Sequence, residues 1–171
     1  VFTIIPVVFP ILSILGAITL NNGGSNYLTM IMLGGISVYV LFMVLLHKKI
    51  NANVYPWGIL TIALSLLLMF SLRSWHISGP DSSIEYQIFQ LTKEKFYWSM
   101  ANLPGHAYNA CLSVTILPTV LYSFLKISDE YIFKLIYPLI FSFTPLGVYL
   151  FTKRYASVAI SFLSAFFYMS F

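Results

Sequence analysis

The sequence predicts an all-α integral membrane protein: a bundle of about five transmembrane helices with an external juxtamembrane helical loop. Three observations predict it. Of 171 residues, 59% are hydrophobic and only 8% are charged, whereas soluble domains carry about 25% charged residues. That leaves too little polar surface to face water. The apolar runs approach the ~20 residues a helix needs to cross the hydrocarbon core, and short clusters of Asn, Gly, His, Lys and Arg punctuate them. The period-two alternation of a membrane β-barrel is missing from the sequence.

The elements follow in order. Val1–Leu20 is uncharged and contains Pro6 and Pro10, so it reads as a first span that is kinked or starts late. "NNGGSN" (Asn21–Asn26) is a tight polar turn. Tyr27–Leu46 is the second span, where Gly34 and Gly35 permit close helix contact. His47, Lys48 and Lys49 end it, and Trp57–Leu72 is the third span. The long polar stretch 73–109 follows. Within it Ile84–Leu91 has the spacing of a short helix, "TKEK" (Thr92–Lys95) reads as solvated, and "NLPGH" (Asn102–His106) reads as a turn. Ala110–Leu125 is apolar but short and carries Pro118, so it either crosses or lies in the interface. Leu135–Phe151 is a further span, interrupted by Pro138 and Pro145, with Lys134 able to snorkel from its start. After Lys153 and Arg154, Ser157–Phe171 begins another. The chain starts without Met and stops inside this apolar run, so it reads as part of something longer.

Charge placement orients these spans. The formal net charge is +4, and in a chain of this composition it reports topology; no nucleic-acid partner is expected. With Lys48 and Lys49 in the cytoplasm by the positive-inside rule, span three runs outward and residues 73–130 are external at the plasma membrane. If Ala110–Leu125 does not cross, Lys153 and Arg154 return to the inside, as the rule prefers. Five spans plus one interfacial helix is therefore favoured over six. Lys126 and Lys134 are then external and weigh against it. Cys111 is the only cysteine, which excludes an internal disulfide and a multi-cysteine metal site.

The chemistry candidates lie in the polar stretch. Asp81 and Glu85 are four apart, hence neighbours on a helix. Two such carboxylates can share a proton, bind a cation, or act as base and orienter. They can equally belong to a helix start, since "SSIE" (Ser82–Glu85) has the form of a capping box. His76 and His106 bracket the stretch, and His76 is a weak candidate to join the acids as a metal ligand. No nucleophile elbow, P-loop, dinucleotide fingerprint or EF-hand pattern occurs in the sequence. No charged residue lies deep within a span, which disfavours an ion-coupled transporter.

The segments "SGPDSSIEYQIFQL", "NACLSVTILPTVLYSFLKIS" and "IYPLIFSFTPLGVYLFTKRY" resemble the GT-C superfamily of polyprenyl-phosphate-sugar-dependent glycosyltransferases. They look most like a family of uncharacterised archaeal multispanning membrane proteins related to it. The resemblance covers 57–171, the start of a catalytic membrane domain, and makes 1–56 an N-terminal two-helix addition. It implies transfer of a sugar from a polyprenyl-phosphate carrier to an acceptor at the external face. Asp81 matches the catalytic acid near the start of the first external loop, and Ile116–Leu125 matches a juxtamembrane helix. Glu85 would assist, through a divalent Mg or Mn held by Asp81 and Glu85. Arg73 and Lys126 are candidates for the lipid phosphate. The second acid is four residues away, where many members have two acids adjacent or one apart, and Pro118 stands alone where many have two prolines. The competing expectation is a non-catalytic helical subunit of a larger membrane complex.

Overall fold

A computed structural model of the chain describes residues 2–102 and 107–170. Most of the expected turn at 102–106, with His106, lies outside them. Every regular element among the described residues is helical. We number them α1 (Val8–Asn21), α2 (Tyr27–Leu45), α3 (Val54–Ser71), α4 (Pro80–Lys95), α5 (Ile116–Leu125), α6 (Asp129–Thr152) and α7 (Val158–Met169). Three of them, α2, α3 and α6, are long and apolar enough to cross a membrane. The apolar segment Ile5–Asn21, α5 and α7 are shorter. The ten residues of α5 extend roughly 15 Å, about half the hydrocarbon core.

The chain forms two compact units, one made of the residues up to Arg73 and from Pro138 onward, the other of Ser74–Tyr137. This division by packing is a different cut from the one drawn at 56/57 from the resemblance.

In the first unit, prolines shape the helix starts. Pro6 sits in a 3-10 turn (Ile5–Val7) that leads into α1, and Pro10 falls in the first turn of α1, where no intrahelical donor is lost. The late, bent start expected of span one follows. α3 begins at Val54 rather than Trp57, because Pro56 is tolerated in a first turn in the same way. α1 packs on α2 and α3, and the C-terminal half of α6 packs on α7. Met32, Met43, Tyr55, Ile59 and Phe162 are fully buried in the shared core.

Close approach happens at other glycines than the expected pair. A Cβ at Gly16 would lie 2.8 Å from the Thr29 hydroxyl, and one at Gly58 would lie 2.8 Å from the Tyr39 hydroxyl. Gly34 has nothing within 4 Å, and Gly35 merely admits the Phe9 ring. Between apolar helices such contact substitutes for a hydrophobic driving force. Hydrogen bonds reinforce it: Ser13 Oγ donates to the Ser65 carbonyl at 2.8 Å and the Tyr55 hydroxyl to the Met43 carbonyl at 2.9 Å.

α6 bears the marks of its two prolines. Pro138 has no N–H for the Lys134 carbonyl, and its ring crowds that carbonyl. The helix widens to a π turn over Ile132–Ile136. Pro145 falls in the first turn of a restarted helix after a break at 142–143.

In the second unit α4 packs on α5, and α5 on the π turn of α6. Tyr86 and Phe89 of α4 meet Phe133, whose ring is 5.1 Å from that of Tyr137. Trp98 Nε1 donates to the Asn109 carbonyl at 2.9 Å, and Asn109 Nδ2 donates to the Ser99 carbonyl at 3.0 Å. These bonds tie together the connection between α4 and α5. α4 is longer than the expected Ile84–Leu91. "TKEK" is only half solvated: Thr92 is buried and Lys93 turns inward, while Glu94 and Lys95 are exposed. One turn of helix cannot send four consecutive residues to the same side.

Candidate active site on the acidic face of α4

The site begins with a backbone feature. Gly79 has φ +105°, a conformation that side chains rarely adopt, and Pro80 then opens α4. This start lies ahead of Ser82, so the expected capping box does not form. Gly79 is the N-cap, and no side chain caps the helix. Ser83 Oγ instead donates to the Gly79 carbonyl at 2.7 Å. Asp81 thereby falls in the first turn of α4, exposed, where the helix dipole favours a negative charge.

Glu85 lies one turn on and is half-buried. Its carboxyl pKa is raised, first by burial and then by the Asp81 carboxylate. The structure thus brings the two acids into electrostatic contact. Tyr108 joins them, its hydroxyl hydrogen-bonded to Asp81, and Glu85 and the Cys111 thiol also act on it. The Asp81 charge, ahead of burial, raises the phenol pKa. Tyr137 lies within electrostatic reach of Glu85, and its own hydroxyl donates to the Ser113 carbonyl.

The raised Glu85 pKa has a consequence for stability. The folded chain holds the Glu85 proton to higher pH than the unfolded chain, whose value is near 4.5. Stability from this group is therefore present below 4.5 and is lost as pH rises through the folded value. Glu85→Gln, which cannot ionise, should be more stable than the parent at neutral pH, and the advantage should vanish on acidification below that window. Thermal denaturation of parent and variant across pH 4–8 checks this. A constant difference across the range would refute it.

A second polar cluster occupies the other end of α4. Asp129 Oδ2 accepts from Lys93 Nζ and from Gln90 Nε2, each at 2.5 Å. Lys93 Nζ also lies 5.6 Å from the Phe89 ring centre and 5.1 Å from that of Tyr122. Tyr86 bonds into the same group, and burial together with the Asp129 and Glu130 charges pushes its phenol up to about 12. Lys134 does not snorkel. It is buried in the π turn and donates to the Ser74 carbonyl at 2.7 Å. Ser74 itself has φ +93°, and its Oγ donates to the His76 carbonyl at 3.0 Å.

The remaining candidates lie apart from the acid pair. His76 Nδ1 is 3.2 Å from Glu130 Oε1, with an imidazole 85% exposed. Among the described residues no three His, Cys, Asp or Glu side chains converge on a metal-sized site. Asp81 and Glu85 alone still suit hydrated Mg or Mn, which is typically held by one or two carboxylates with waters and substrate phosphate. Arg73 belongs to the first unit, is exposed, and has an interaction partner. Lys126 is exposed at the C-cap of α5 in the left-handed conformation, φ +51°.

Sequence reasoning missed Tyr108, Tyr137 and the Lys93–Asp129 pair. All are long-range partners of α4, and helix periodicity carries no signal for them. Family models, curated proteins and solved structures give no significant match to this chain.

Proposed function

We propose that the chain is a membrane glycosyltransferase, or the N-terminal part of one, that moves a sugar from a polyprenyl-phosphate carrier to an acceptor at the external membrane face. The observation that carries this reading is the exposed Asp81 carboxylate on the first turn of α4, with Glu85 one turn away and a tyrosine hydroxyl bonded to it. The acceptor oxygen bonds to the anomeric carbon of the sugar. The bond from that carbon to the carrier phosphate breaks, and its electron pair stays on the phosphate. The acceptor's proton passes to Asp81 as general base. Glu85 orients the acceptor or Asp81. Asp81 and Glu85 would hold a divalent Mg or Mn, which when bound would neutralise charge on the departing phosphate. Arg73 and Lys126 are the cations proposed for the phosphate.

This reading needs five spans, α5 along the interface, and the 73–130 region outside the plasma membrane. The ten-residue length of α5 supports that arrangement, and so do its outward-facing Val120 and Phe124, 57% and 83% exposed. Cys111, the sole cysteine, is exposed. A membrane-impermeant maleimide added to intact cells should label it; labelling only after permeabilisation would refute the external assignment. The activity itself is tested by reconstituting the full-length protein in liposomes with a polyprenyl-phosphate sugar and following release of the carrier phosphate. No acceptor-dependent release would refute the reading and favour a non-catalytic subunit.

A further inference from the structure

We infer that Tyr108 is the positioning residue of this site: its hydroxyl fixes the Asp81 carboxylate and keeps it ready to take a proton. The inference rests on the glycosyltransferase reading for the meaning of "ready", but the pairing stands on the geometry. Asp81 is exposed on the first turn of a helix whose N-cap contributes no side-chain bond, so nothing on α4 restrains its rotamer. Tyr108 reaches it from a separate element, the 3-10 turn Ala107–Ala110. That turn packs against α4 and is anchored by Asn109, which is buried and bonded to Ser99 and Met100. The tyrosine is therefore presented by a braced backbone, whereas the acid is not. A donor placed on one carboxylate oxygen leaves the other free for an incoming hydroxyl, and it favours the ionised form.

The titratable groups that act on Tyr108 are Asp81 and Glu85 from α4 and Cys111 from its own segment. Glu85 is faced in turn by Asp81 and by Tyr137 from α6. Asp81 is the largest of the influences on Tyr108, so the pair has a signature that does not depend on catalysis. The phenol of Tyr108 titrates above the ordinary value of 10.0, and removing the Asp81 charge should bring it back down.

Two measurements on the full-length protein in liposomes test this. The first follows carbon-13 at the ring carbon bearing the Tyr108 hydroxyl against pH, in the parent and in Asp81→Asn. A titration that falls in the variant supports the pair; one that does not move overturns it, whether or not the protein transfers sugar. The second compares the pH–rate profile of Tyr108→Phe with the parent. A carboxylate deprived of a donor holds its proton more tightly, so the acid limb should move to higher pH. On that limb kcat should drop about ten- to hundredfold, with acceptor KM little changed. An unshifted profile overturns the positioning role even if the pair exists. A parent with no transfer activity at all refutes the glycosyltransferase reading and removes Tyr108's role, while the carbon-13 titration still decides the pairing.

Discussion

Asp81→Asn in the full-length protein should lower sugar transfer by about 10²- to 10⁴-fold, the usual weight of a general base, and leave the fold intact. The side chain is exposed, and asparagine has nearly the same shape. What the fold loses is a first-turn charge on the dipole of α4, about 0.3–1 kcal/mol. The amide oxygen can still accept from Tyr108, so the local geometry persists. A purely structural role for Asp81 predicts the opposite pattern: a small loss of stability and unchanged transfer. Circular dichroism and a transfer assay on the same preparation separate the two outcomes. Unchanged transfer would remove Asp81 from the chemistry.

Lys93→Ala should destabilise the second unit far more than Asp129→Ala. The two side chains are only 18% and 23% exposed, so their pair is partly withdrawn from water. Removing Lys93 leaves a carboxylate at the start of α6 with only the weaker donors Gln90 and Tyr86. Breaking a buried pair in this way costs 3–5 kcal/mol, and the partial exposure here reduces that to about 2 kcal/mol. Removing Asp129 instead leaves Lys93 against the faces of Phe89 and Tyr122, a favourable setting for a cation, at a cost of about 1 kcal/mol or less. Limited proteolysis of the Ser74–Tyr137 unit in the two variants gives the order. Equal sensitivity would mean that the rings contribute nothing to holding Lys93.

The sequence carried local facts well and long-range ones poorly. Runs of apolar residues located α1, α2 and α3 to within a few residues, because length and composition decide such helices. The prolines of α6 announced an interruption, but only the crowding between Pro138 and the Lys134 carbonyl determines that it is a π turn. The pair Asp81 and Glu85 was legible because four-residue spacing sets helix neighbours. The capping box was misread because Gly79 and Pro80 start the helix earlier than the Ser-x-x-Glu pattern implies. Gly34 and Gly35 looked like the contact site, yet Gly16 and Gly58 fill that role. Which glycine meets a neighbour depends on the rotation of each helix, and an uninterrupted apolar run does not encode it. Tyr108, Lys93 and Asp129 were invisible as site residues because their partners are 27 to 36 positions away.

The contrast between the contacts at Gly16 and Gly58 and the paired charges around α4 sets how the protein responds to its solution. Steric contact between helices is indifferent to ionic strength. The ion pairs His76–Glu130 and Lys93–Asp129 both belong to the second unit. Salt at molar concentration shortens the Debye length to about 3 Å. It therefore weakens the exposed His76–Glu130 pair first and the sheltered Lys93 pair less, and the helix contacts of the first unit hardly register the change. A salt series is in effect a selective solvent for one half of the molecule.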